Sequence, residues 1–117
     1  MSRAGETGML VQQLDNAVAR LAMPPTEQVA YLASLGVGRL ADELALEFDD
    51  AYQPVAPLLE ELDAPEELRG DLKSLDRALT SDDIEWPIAA VGESAAWAEI
   101  RYLAMRTVSA LRAWRSE

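Results

Sequence analysis

Neither cysteine nor histidine occurs among the 117 residues. Their absence excludes a disulfide framework, thiol nucleophiles, zinc sites built on Cys or His, and every mechanism that relies on a histidine base. Lysine is reduced to Lys73 and phenylalanine to Phe48. No apolar run is long enough for a signal-peptide core or a membrane span, so the expected location is cytoplasmic. Basic residues number only 10 against 21 acids, for a formal net charge of −11. That field disfavours direct capture of nucleic acid or of an anionic membrane. What the chain does have is apolar material, at 50% of its residues, enough for the core of one domain.

The apolar residues recur with helical period, and strand signals are weak. After a polar lead expected to be flexible over residues 1–7, a single domain is expected over 8–117. Its first helix reads from Gly8 to Met23, with Leu10, Leu14, Ala17, Val18 and Leu21 on one face. Pro24 and Pro25 end it, and Thr26 is the expected N-cap of a short second helix closed by Gly36 and Gly38. A third helix, from Arg39 or Leu40, carries the seam Leu44, Phe48, Ala51, Val55, Leu58 and Leu62. Pro54 and Pro57 predict a kink or break near Gln53, with the apolar register surviving it. A fourth helix opens around Asp63, Ala64 and Pro65 and buries Leu68, Leu72, Leu75 and Leu79. Thr80 to Pro87 reads as a loop, and a last helix, capped by Ser94, runs to about Trp114 on Ile100, Leu103, Ala104, Thr107 and Leu111. The expectation is an all-α fold: a compact antiparallel bundle of about five helices.

Charge is distributed unevenly. Residues 40–68 hold ten acids and no base: Asp42, Glu43, Glu47, Asp49, Asp50, Glu60, Glu61, Asp63, Glu66 and Glu67. The last helix reverses sign with Arg101, Arg106, Arg112 and Arg115. Like charges four apart, as in Glu43 and Glu47, cost a helix a few tenths of a kcal/mol. A surface that tolerates this repulsion points to a basic partner, although solvated acids partly paired with the terminal arginines account for much of the pattern. Leu46 points away from the seam, with Asp42, Glu43, Asp49 and Asp50 as its helical neighbours. An apolar side chain inside a charged rim is the layout of an interface anchor. Trp86, beside Asp82, Asp83 and Glu85, is a second candidate anchor, or else a lid folded onto the end of the bundle.

The only chemistry available is that of carboxylates. Glu43, Glu47 and Asp50 share a helical face, with Glu60 and Asp63 further on. The pattern loosely resembles the paired acidic motifs of the all-helical nucleotide pyrophosphohydrolases, and that resemblance implies a magnesium-dependent hydrolase. That family spaces its first glutamates three apart, whereas Glu43 and Glu47 stand four apart. The leading expectation is therefore a non-enzymatic binding protein without cofactor or metal, of the inhibitor, immunity or antitoxin type. It would neutralise a basic partner such as a toxin, a nuclease or a basic regulatory segment. Its expected contact residues are Asp42, Glu43, Leu46, Glu47, Asp49, Asp50, Glu60, Glu61 and Trp86. A helical subunit that pairs with a second copy is the third reading.

Overall fold

The computed structural model describes residues 3–36 and 41–116 and contains no β-strand among them. In chain order the helices are α1 (Arg3–Ala22), α2 (Pro25–Leu35), α3 (Asp42–Val55), α4 (Glu66–Leu79), α5 (Ile88–Glu93) and α6 (Ala95–Arg115). A 3₁₀ turn over Ala56–Leu58 follows α3. Helices α1 and α6 pack along each other at the centre, with α3 against α1 and α4 against α6; α5 lies on α6 and α2 on α5. Neighbours in the four-helix layer run antiparallel. The end of α6 lies beside the first half of α1, where Trp114 and Arg115 line a cleft with Thr7, Gly8 and Val11, and Arg20 near the end of α1 meets Glu47 in the first half of α3. Glu67 at the start of α4 lies beside Ala110 and Ala113 late in α6. The all-α bundle is thus as expected, with one more helix among the described residues: 88–93, between the expected loop and the expected last helix, form α5.

Prolines set the punctuation. Pro24 ends α1, and Pro25 occupies the first position of α2, where a missing N–H costs no helical bond. Thr26 is consequently inside the helix and does not cap it. Pro65 and Pro87 stand one place earlier, as the cap residues before α4 and α5, so neither Asp63 nor Ala64 caps α4. Gly36 closes α2 with φ of 67°, a left-handed conformation that favours glycine. Gly38, and the start expected for the third helix at Arg39 or Leu40, lie outside the described residues. Of the expected lead, Met1 and Ser2 lie outside them too, and α1 already begins at Arg3. Ser94 caps α6 as expected, its hydroxyl accepting from the N–H groups of Ala96 and Trp97.

The break after α3 falls later than expected. The helix runs through Gln53 and Pro54, both exposed at its last turn, and gives way at Ala56. Each 3₁₀ residue turns the chain about 120° instead of about 100°. The apolar register therefore does not survive: Leu58 and Leu62 are only half-buried, and Leu59 takes the core position. Asp63 then adopts φ of 59° to turn the chain into α4.

Polar groups inside the core tie the helices together. Gln28 is fully buried, and its side-chain amide donates to the terminal carbonyls of α1 at Arg20 and Leu21, each at 3.0 Å. The residues four further on are Pro24 and Pro25, which have no N–H to give, and the Arg20 carbonyl otherwise accepts only from Met23 at 3.3 Å, so Gln28 supplies what the helix end lacks. Its oxygen accepts from Arg101, which also donates to the Val91 carbonyl near the end of α5. Burial lowers the Arg101 pKa. Asp15, on the core face of α1, accepts from Arg112 at 3.1 Å and Arg115 at 2.9 Å.

Candidate functional site: an acid-rimmed groove

On α3, Asp42, Leu46 and Asp49 stand four and three residues apart and so share one strip of the helix. That strip faces the end of α4. Between the two lies a groove of about 320 Å³ whose apolar lining is Leu46, Phe48, Leu79 and Trp86. Its rim carries the carboxylates of Asp42, Asp49 and Asp76, and no cationic side chain lines it among the described residues. Phe48 is buried and Leu46 is 50% exposed, so that lining grades from core to solvent.

Trp86 is held in place by its backbone and its ring. Its carbonyl accepts from the Ala41 N–H just before α3. Its indole meets the buried Trp97 edge-on, with centroids 6.4 Å apart. Trp97 is in turn fixed by its indole N–H, which donates to the Glu85 carbonyl at 2.8 Å. Trp86 is therefore half-buried against the core and at the same time a wall of the groove. The two readings of this residue, lid and contact, describe the same position.

The structure divides the remaining candidate residues. The four acids expected around Leu46 do not form one ring: Asp42 and Asp49 line the groove, Glu43 lines neither cleft, and Asp50 lines a shallow cleft against α1 with Glu47, Gln13, Asn16 and Arg20. Glu47 is committed inside the protein. Arg20 lies 3.3 Å from one of its oxygens, and the Tyr31 hydroxyl donates to the other. The Arg20 guanidinium also sits over the Tyr31 ring, 4.7 Å from its centroid. Burial, reinforced by the bond to Glu47, raises the Tyr31 pKa. Glu47 is thus a tie between α1, α2 and α3, and its reversal would disturb the fold. Glu43 is half-buried on the same side.

Glu60 and Glu61 are exposed in the turn beyond α3, a helix length of about 20 Å from Asp42. Glu61 lines a larger cleft, about 630 Å³, with Val11, Leu58, Leu62, Trp114 and Arg115. One acid faces one base there, so this cleft offers little net charge to a cationic partner. Among the described residues no three carboxylates come together to hold a metal ion, and Glu43, Glu47 and Asp50 do not converge. No helix among those residues is long and apolar enough to cross a membrane.

Sequence reasoning missed Asp76. It lies on α4, 27 residues after Asp49, and no local spacing links the two. The terminal arginines pair with Asp15 and Asp71, outside the 40–68 block. The groove acids are therefore not consumed by the basic helix. In comparisons with protein-family models, curated proteins and solved structures, the chain shows no significant match.

Proposed function

We propose that this chain is a non-enzymatic protein-binding module whose acidic α3–α4 face engages a basic partner, in the manner of an inhibitor, immunity protein or antitoxin acting in the cytoplasm. The reading is carried by one observation: three carboxylates rim an apolar groove while the arginines of α6 are engaged elsewhere. Clefts that bind phosphates are basic, and a rigid array of carboxylates complements them in charge. Leu46 and Trp86 supply apolar contact inside the charged rim, the arrangement that concentrates binding energy.

The test compares two baits in affinity capture from the source cell, read by mass spectrometry. Wild type should retain a protein of high isoelectric point that an Asp49→Lys, Asp76→Lys bait loses, with both baits equally helical by circular dichroism. Identical captures by the two baits would mean that the acids serve solvation alone.

A further inference from the structure

The groove has two parts that a single kind of side chain can satisfy together. Leu46, Phe48 and Leu79 line it and can cover methylene groups, as long charged side chains require when they lie along apolar surface. Trp86 lines the same groove, and an indole is a side chain on which a planar cation stacks. Asp42 and Asp76, on opposite helices, present acceptors at the rim. A simple ammonium would use the charge and leave the ring face idle. A metal ion would leave the apolar lining without function.

We infer that the α3–α4 groove is a receptor for an arginine side chain projecting from a basic peptide segment of the partner. The inference rests on the reading of the acidic face as a partner surface and adds the chemical identity of what enters it. Charge complementarity selects a cation. The stacking face and the acceptors on two sides select guanidinium over ammonium. The field of the surrounding acids brings either cation near, while the groove distinguishes between them.

The test uses the full chain labelled with ¹⁵N and two acetylated, amidated hexapeptides, one alternating arginine with alanine and the other lysine with alanine, at 0.1 M salt. The arginine peptide should shift the Trp86 indole N–H and the amides of Leu46, Asp49 and Leu79, and bind about 3–5-fold more tightly than the lysine peptide. Asp76→Asn should weaken the arginine peptide about 3–10-fold and narrow its advantage over lysine. Trp86→Leu should remove the advantage; because that ring also packs on Trp97, Asp76→Asn provides an independent test at a half-buried residue outside the ring contact with Trp97. Equal binding of both peptides, with shifts spread over Asp50, Glu60 and Glu66, would overturn the arginine receptor and leave the acidic partner surface standing. No shift with either peptide would overturn both. Magnesium chloride alone shifting Asp42, Asp49 and Asp76 more strongly than the arginine peptide would replace the receptor with a cation site.

Discussion

Truncating Arg112 and Arg115 together to alanine should destabilise the protein more than removing the acid they share. The Asp15 side chain is only 6% exposed, whereas those of Arg112 and Arg115 are 59% and 33% exposed. Asp15→Asn leaves two arginines that water can reach, and the cost is that of weakening three charge-assisted hydrogen bonds, discounted for exposure, about 1–2 kcal/mol. The double truncation strands a buried carboxylate instead, at about 3–5 kcal/mol. In an Asp15→Asn background no carboxylate remains to be stranded, so the same double truncation should cost less than about 1 kcal/mol. Urea denaturation followed at 222 nm, at pH 7 and 0.15 M salt, gives the four free energies of the cycle. Equal costs in both backgrounds would show that Asp15 is hydrated without its arginines and that α6 is not latched to α1 through it. Arg112, one of the four arginines that reverse the sign of the last helix, is by this account part of the fold.

Three further outcomes follow from the packing. Gln28→Leu should cost about 2–3 kcal/mol in the same denaturation, because it removes the donors to the Arg20 and Leu21 carbonyls and the acceptor for Arg101. Leu46→Ala should change stability by less than about 1 kcal/mol, since the side chain is half exposed, whereas Phe48→Ala two residues on should cost about 3–5 kcal/mol. Tyr31 has its pKa raised in the fold, so the protonated phenol is favoured there. Its contribution to stability should be fully present below the unfolded value of about 10 and lost as pH rises through the folded value. Tyr31→Phe should flatten that alkaline decline; an unchanged pH profile between pH 9 and 12 would remove Tyr31 as its source.

The core was legible where helical period alone decides burial. Leu14, Val18, Leu68, Leu72, Leu75, Ile100 and Leu111 occupy the positions their spacing predicts, all fully buried. It was less legible where backbone geometry changes period. The 3₁₀ turn after α3 moves burial from Leu58 to Leu59, and the proline pair signals a stop while its second member begins a helix. Buried polar residues were illegible, because Asp15 is satisfied from 97 and 100 residues away and Gln28 joins a helix end seven and eight residues back to Arg101, 73 residues on. The candidate site was half legible. Leu46 with Asp42 and Asp49 shares one helix, so spacing placed them together. Asp76 and Trp86 join them through tertiary packing, and Glu47 leaves the set because Arg20 and Tyr31 reach it from other helices.

The central claim, that the α3–α4 acids recruit a basic protein, is tested most directly by the association rate of the captured partner as a function of salt. For wild type the rate should fall about tenfold or more between 0.05 and 0.5 M NaCl, as steered encounters do. Asp49→Lys with Asp76→Lys should lower the low-salt rate toward the high-salt value and flatten the slope, while Leu46→Ala should speed dissociation and leave the slope unchanged. A salt slope identical in wild type and the charge-reversed variant would contradict the account and move the working surface away from α3 and α4.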